Sequence, residues 1–397
     1  MDLSERIERR QLRTRDEERI LLDRSQLSPT VHVEEPVGRA PVLEAVLDAV
    51  EPAFDGRLPP ELAIEGPPGV GKSAIVHALY RALGDGLGTA GSIATSTRGG
   101  RPERWFAIVD CRHAGTDFSF YRRLLLQLGA EEVPAHGVGT DRLRERVTEY
   151  VSQRGQWAVI AVDHVEEADD LDVEAVRELL APVADATSVT WLGQSLDVDA
   201  EQTVRIEPYR HHALTDLLSQ RCSRAVRTDA FEHDDLRAVA AQQEGNAHDA
   251  LAVALGAALL ADNEHADAIA RPHFVAAGEA VPETTVHLDR VLALPENRRR
   301  VLATLLQIEL DPTVAEAATA IAERTSLTAG TVRRFCYELA DAGVLARHGG
   351  HADARGRDPS HLRPAFPWLA FAGLDDVLTV DDVVDRVRQQ TEPTVSW

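Results

Sequence analysis

Apolar and polar positions divide the chain into stretches of different period. Residues 1–35 are polar and charged, with helical spacing only in part. From Pro36 onward, short apolar runs alternate with amphipathic stretches. Leu62-Ala63-Ile64, Trp105 to Val109, Trp157 to Val162 (WAVIAV) and Val189 to Leu192 predict four strands. Residues 72–83 (KSAIVHALYRAL), 117–129 and 140–153 predict helices between them, and an acidic helix precedes the fourth strand. Strands that are apolar on both faces and separated by helices predict an α/β fold, a parallel sheet sandwiched by helices. Residues 84–103, rich in Gly, Ser and Thr, read as a mobile surface loop. From Tyr209 the strand pattern stops and three or four helices fill residues 211–280. A last segment, about 284–370, has its own helical pattern and a Gly/Arg/His-rich stretch at 347–363. There is no internal repeat.

Between the first strand and the next helix lies Gly66-Pro67-Pro68-Gly69-Val70-Gly71-Lys72-Ser73, which satisfies G-x-x-x-x-G-K-[ST]. Glycines let backbone N–H groups turn inward around phosphates, lysine brings a mobile charge to the β- and γ-phosphates, and the serine hydroxyl holds Mg²⁺. The following helix presents its N-terminus to the same anion. Composition sharpens the reading. Of 42 basic residues, Lys72 is the single lysine; the other 41 are Arg. A chain that uses arginine everywhere else keeps lysine where a compact ammonium is needed and a planar guanidinium fits poorly. ATP or ADP with Mg²⁺ is the expected cofactor.

The partner group for Mg²⁺ should end an apolar strand. Trp157 to Val162 ends in Asp163, but His164 follows where a water-activating Glu is expected. Glu166 and Glu167 lie two and three positions beyond His164, with a different direction and reach. A histidine is able to act as a general base; the simpler reading is a site with slow or absent hydrolysis. Ser73 and Asp163 are the expected Mg²⁺ ligands, and Asp163 and His164 the candidate catalytic pair.

Residues 314–342 read helix, turn, helix. In the second helix Val332, Phe335, Cys336 and Leu339 recur at helical spacing and form the buried face, leaving Gly330, Thr331, Arg333, Arg334 and Tyr337 outward. A recognition helix places such residues in the major groove. Arg347, His348, Arg355, Arg357 and Arg363 fit a wing hairpin at backbone phosphates. The expected double-stranded DNA contacts are therefore Thr331, Arg333, Arg334, Arg347, Arg355 and Arg357.

Charge at first argues against that partner, because 65 acidic against 42 basic residues give −23, and non-specific DNA affinity rests on basic contacts. Residues 284–370, however, carry 11 Arg and 10 Asp or Glu, a balance of +1, so the remaining chain holds −24. Such an acidic, lysine-poor chain fits life at high salt, where negative charge maintains solubility. Three widely spaced cysteines, Cys111, Cys222 and Cys336, exclude a paired disulfide framework and a CxxC metal site. With no run of 18 apolar residues and no apolar segment at the N-terminus, the chain reads as soluble and cytoplasmic, without a membrane span.

Phosphate loop, Asp-ended strand, helical lid and C-terminal winged helix together resemble AAA+ ATPases of the initiator clade, and more narrowly archaeal origin-recognition and cell-division-control replication initiators. Pro36-Val37-Gly38-Arg39 resembles the family's box near the adenine, and Asp110-Cys111-Arg112 its N-C-R after the second strand. Val133-Pro134-Ala135-His136-Gly137 is similar to its V-P-x-x-G stretch, and Ile206-Glu207-Pro208-Tyr209 to the F-x-P-Y segment that opens the lid. Gly245-Asn246-Ala247-His248-Asp249-Ala250-Leu251 falls where the family has G-D-A-R-R-A-L. The resemblance covers roughly residues 18–370 and implies an N-terminal segment (1–35), a nucleotide-binding core (36–208), a helical lid (209–283), a winged-helix DNA-binding domain (284–370) and an acidic, peripheral tail (371–397). It extends the nucleotide-binding set to Val37, Arg39, Ala74, Tyr209 and Arg221.

The departures concern turnover. In the run Leu192-Gly193-Gln194-Ser195-Leu196-Asp197 a leucine stands where the family's sensor Asn reads the γ-phosphate. The lid arginine that should stabilise developing charge is His248 or Asp249, and the segment that carries the family's arginine contact is reduced to Arg205. The resemblance thus implies a divergent haloarchaeal paralogue that binds ATP and DNA and hydrolyses weakly, with other initiator paralogues or a helicase-loading machinery as further partners. Two alternatives stay open: a nucleotide-switched regulator whose winged helix meets a promoter or a protein, and an active remodelling ATPase using His164.

Overall fold

The structure, a computed structural model, describes residues 19–89, 104–152, 157–168, 171–308, 311–349, 352–353, 356–357, 360–384 and 386–387. The chain forms two compact units, residues 32–208 and, together, residues 1–31 with 209–397.

The first unit is built on five parallel strands, β1 (Leu62–Glu65), β2 (Arg104–Asp110), β3 (Trp157–Asp163), β4 (Thr187–Gly193) and β5 (Gln202–Arg205), in the order β2-β3-β4-β1-β5. Every residue of β3 is buried, as its unbroken apolar run requires of a strand covered on both faces. Helices α1 (Ala40–Val50) and α2 (Lys72–Thr89) cover one face, where Val46, Ile64, Ile75 and Leu192 close the core. Helices α3 (Asp117–Gln127), α4 (Thr140–Val151) and α5 (Val173–Leu180) cover the other, around Phe120, Leu124, Leu143, Ile160 and Trp191. The parallel sheet and its helical layers are as the sequence pattern predicts. The fifth strand is an addition: β5 is a four-residue edge with Gln202, Thr203 and Arg205 exposed, too short and too polar to carry a period. Helix α2 also runs further than the predicted 72–83, reaching Thr89 into the Gly-rich stretch; residues 90–103 of that stretch lie outside the described residues.

In the second unit, α6 (His211–Ala225), α7 (His233–Gln242), α8 (Ala247–Asn263) and α9 (Arg271–Glu279) form a helical bundle, with α8 buried along nearly its whole length. Short α10 (Leu288–Leu292) and α11 (Glu296–Leu306) lead to α12 (Val314–Arg324) and α13 (Ala329–Asp341), then to β6 (Leu345–Gly349), β7 (Ala352–Asp353), β8 (Gly356–Arg357) and β9 (Ser360–Pro364). Strands β6 and β9 pair antiparallel, as do β7 and β8.

Ile20 and Leu27 of the N-terminal segment are buried, and the Ile20 and Leu21 amides donate to Asp262 Oδ1 at 3.0 and 3.4 Å. One expectation is corrected in this unit, that of a peripheral C-terminal tail. The described residues after Phe371 are not all peripheral. A last helix, α14 (Trp368–Leu374), crosses the expected boundary at residue 370, and Leu378, Val383 and Val387 beyond it are buried. Asp375, expected on an acidic surface, is buried and pairs with Arg299 at 2.5 Å while accepting the Val377 amide at 2.8 Å. Asp376, Asp381 and Asp382 are not buried, and Asp385 lies outside the described residues. Apolar residues interleaved with aspartates hid this packing. Asp375→Asn keeps the acceptor for Val377 and removes the charge beside Arg299; it should cost about 2 kcal/mol, read as a lower urea midpoint with unchanged slope.

Candidate functional site

The phosphate loop leaves β1 at Glu65 and enters α2 at Lys72. Gly69 and Gly71 hold φ of +74° and +90°, the left-handed region in which side chains are strained. Gly66 is fixed by a close approach, since a Cβ there would lie 2.5 Å from the Ile206 carbonyl oxygen. Lys72 Nζ donates to the Gly66 and Pro67 carbonyls at 2.7 and 3.0 Å. Burial lowers its pKa, while Asp163, Glu166 and Glu167 oppose the shift. Ser73 and Ala74 are half-buried in the first turn of α2.

Asp163 ends β3 and is 4% exposed. Among the described residues no hydrogen-bond donor reaches its carboxylate, and the nearest basic nitrogen is His164 Nε2 at 3.5 Å. A buried carboxylate without a donor, in one site with an uncommitted Ser73 hydroxyl, fits a hard cation with oxygen ligands. Ser73 and Asp163 are therefore the residues that would hold Mg²⁺.

His164 adopts a left-handed conformation (φ +57°), with Nδ1 3.1 Å from Glu167 Oε1. Burial disfavours its imidazolium, but Asp163 and Glu167 outweigh burial and raise its pKa. Glu166 accepts the backbone amides of Gln194 and Ser195 at 2.9 and 3.3 Å. That carboxylate holds the loop after β4 and is committed to it. Leu196, at the sensor position, is half-buried against the apolar core beside Trp191.

The sequence marks the neighbouring carboxylate only as part of the Asp110-Cys111-Arg112 motif and gives it no place in the site. Asp110 ends β2 in register with Asp163, and Arg112 grips it through Nη2 at 2.7 Å and Nε at 3.0 Å. Burial raises the Asp110 pKa, but the Arg112 hydrogen bonds and charge outweigh it and the net shift is downward. The signal was present as a second apolar strand ending in Asp. On α2, His77 stacks on His32 with ring centroids 4.2 Å apart. Burial and the His32 charge push the His77 pKa down to about 4, so its imidazole is neutral near pH 7.

Arg39, expected near the nucleotide base, is buried and donates to the Val70 carbonyl at 2.8 Å and the Glu207 carbonyl at 3.0 Å. Val37 is half-buried. Arg205 is exposed and pairs with Glu65 at 3.3 Å.

Tyr209 and Arg221 belong to the second unit. The Tyr209 amide donates to Gly245 O at 3.0 Å. Arg221, expected at the nucleotide, donates its guanidinium to the carbonyls of Gln26 and Ser28, and burial lowers its pKa to about 10. His248 and Asp249 are likewise engaged within the unit. His248 Nδ1 lies 2.8 Å from Asp249 Oδ1, its Nε2 accepts the Leu288 amide at 2.9 Å, and Asp249 Oδ2 accepts from Thr285 at 2.9 Å. His248, His287 and Asp289 come together closely enough for a metal. However, the two rings stack 10° from parallel, so their in-plane lone pairs lie in separate parallel planes, and both nitrogens of His248 already have partners.

Helices α12 and α13 are capped as their sequences require. Thr313 and Glu316 form a reciprocal capping box, and Thr328 caps α13 through the Thr331 amide. Val332, Phe335, Cys336 and Leu339 are the buried face of α13. Arg333 and Arg334 are exposed, and Thr331 is half-buried with its hydroxyl 2.9 Å from that of Thr328. Arg334 lies 3.5 Å from Glu338, and both Arg298 and Arg334 stack on Phe335. Arg347 is exposed on β6, its guanidinium 5.3 Å from the centre of the Tyr337 ring. Arg363 pairs with Asp311. The side chain of Arg357, and Arg355 as a whole, lie outside the described residues.

Residues 35–192 match the AAA ATPase domain family. The chain is 21% identical over 378 residues to the ORC1-type DNA replication protein 10 of Halobacterium salinarum, covering 87% of this chain and 89% of that protein. Among solved structures it is similar to the Aeropyrum pernix ORC1 protein in complex with DNA (TM-score 0.62, 19% identity, 93% of this chain and 99% of that one). It is also similar to the Aeropyrum pernix ORC2 protein in ADPNP–ADP complexes (TM-score 0.54, 12% identity, 94% and 98%). The parallel five-stranded sheet with its helices is thus an AAA+ α/β fold. No helix among the described residues is long and apolar enough to cross a membrane.

Proposed function

We propose that this chain is an ATP- and DNA-binding protein of the origin-recognition type, holding nucleotide well and hydrolysing it slowly. One observation carries the reading. A phosphate loop with Lys72, Ser73 and Asp163 in place shares the chain with a helix–turn–helix and hairpin presenting Arg333, over a length that an ORC1-type relative matches almost end to end. Residues 284–370 are read as a winged helix, with Thr331, Arg333 and Arg334 at the groove and Arg347, Arg355 and Arg357 on the wing. Lys72, Ser73 and Asp163 are read as the nucleotide and Mg²⁺ site. Mg²⁺ there would supply charge neutralisation at the β- and γ-phosphates.

Slow turnover is supported by side chains already committed elsewhere. Glu166 holds backbone amides, Leu196 is apolar, and Asp249 is bonded inside its own unit. His164 meets two carboxylates and would have to give up a proton that both stabilise. The Arg-rich, acidic composition and the Halobacterium relative support a haloarchaeal, cytoplasmic setting. Initiator paralogues or helicase-loading machinery are the further partners this reading implies.

The test is purified protein in molar salt, assayed for ATP and ADP binding, hydrolysis and duplex footprinting with and without ATP. Turnover is expected below about 0.1 per second, under the lower end of ordinary enzyme rates. A rate of about 1 per second that Lys72→Ala abolishes would replace this reading with an active ATPase. Genomic DNA capture enriched at promoters would instead favour a transcriptional regulator.

A further inference from the structure

The geometry points to Arg39 as a positioning residue that transmits nucleotide occupancy from the phosphate loop to the segment Ile206–Pro208, where the chain leaves the nucleotide-binding unit. The inference rests on the nucleotide-binding reading above and adds a task for a residue expected only near the base.

Three contacts join the loop to this exit segment. Arg39 is 6% exposed, and its two Nη atoms bridge Val70 O inside the loop and Glu207 O beyond β5. Both acceptors are backbone carbonyls, so any displacement of the Val70 peptide is carried to the Glu207 peptide through one rigid planar fork. The second contact is direct: the Gly66 backbone lies against Ile206, whose carbonyl oxygen is 2.5 Å from where a Cβ would stand. The third is the Ile206 amide, which donates to the carbonyl of Glu65, the residue before the loop, at 2.8 Å; on its other side the Gly66 amide ties the loop to β4 through Gly193 O at 3.2 Å.

The moving part is Lys72. Its ammonium donates to Gly66 O and Pro67 O, whereas phosphates draw that charge toward themselves. Phosphate binding therefore changes the partners of the loop's first carbonyls, and the loop backbone is the part of the site in contact with Ile206 and, through Arg39, with Glu207. Pro208 is the last residue of the unit, so the movement is delivered where the chain passes to the helical bundle.

Hydrogen exchange on the full chain, with and without saturating ATP and Mg²⁺, tests this for wild type, Arg39→Lys and Arg39→Gln. Affinity for ATP is measured on the same samples, and thermal unfolding checks that each variant is folded. In wild type, ATP should slow exchange at least about threefold both in a loop peptide and in a peptide spanning residues 203–209. Lysine keeps the charge but cannot bridge two carbonyls. Arg39→Lys saturated with ATP should therefore keep loop protection and lose more than half of the protection at 203–209, and Arg39→Gln should lose it entirely. A folded variant that protects residues 203–209 as wild type does would overturn the inference, as would wild type that binds ATP without altering that peptide. Wild type that binds no nucleotide would overturn the underlying reading as well.

Discussion

Replacing Lys72 with Ala should weaken ATP and ADP binding by roughly 100-fold, about 3 kcal/mol, the range for removing a charge-assisted hydrogen bond from a partly buried site. Lys72 is the single lysine in the chain, and its ammonium is half-buried beside Asp163, Glu166 and Glu167. With the ammonium gone, that acidic group faces the incoming phosphates without its counter-charge, so repulsion adds to the missing attraction. Lys72→Arg keeps the charge and should recover less than about a tenth of the affinity. A guanidinium rooted in the first turn of α2 is too broad to sit where Nζ touches Gly66 O and Pro67 O. Calorimetry in molar salt checks both variants. Near-wild-type affinity in Lys72→Ala would show that this loop does not hold the nucleotide phosphates.

What was legible in the sequence follows from how many residue types each position tolerates. The loop glycines adopt positive φ or lie against another backbone, and β3 is buried on both faces, so glycine and an apolar run are close to obligatory there. The buried face of α13 was equally readable, because a period of 3.6 needs only apolar spacing. Buried arginines were not. Arg39 and Arg221 donate mainly to backbone carbonyls, and carbonyls carry no sequence signature. The edge strand β5 and the docked segment after Phe371 failed for a related reason. Their short apolar content is interrupted by Gln, Thr and Asp, and pairing or packing partners far along the chain decide their state.

The departures expected around the phosphate loop were legible as absences, and the structure gives Glu166 and Asp249 partners of their own. Glu166 clamps the amides after β4, and Asp249 accepts from Asn246 and Thr285 at 2.6 and 2.9 Å. A residue that only lost a role is expected to drift to solvent. These are buried or bonded, so reverting one alone would leave its present partners unsatisfied. On the proposed slow-turnover reading, faster hydrolysis would need several coordinated changes.

Arg333→Ala with Arg334→Ala should lower duplex affinity by roughly 100-fold in total, about 3 kcal/mol, and reduce the salt slope by about 2. The two contributions are unequal. Arg333 is exposed with no ion-pair or hydrogen-bond partner among the described residues, so all its donors are available. Arg334 lies 3.5 Å from Glu338 and against Phe335, and meeting a phosphate or a base means leaving that carboxylate. The larger share should therefore fall on Arg333. The same geometry predicts a change of opposite sign. Glu338 also accepts from Arg298 at 2.9 Å, so Glu338→Gln releases two guanidiniums and removes a negative charge from the face that would approach DNA, tightening binding by about threefold. Fluorescence anisotropy across a salt series reads all of these. If the arginine variants leave affinity and slope unchanged while Glu338→Gln does nothing, α13 does not face DNA, and its exposed side serves a protein partner.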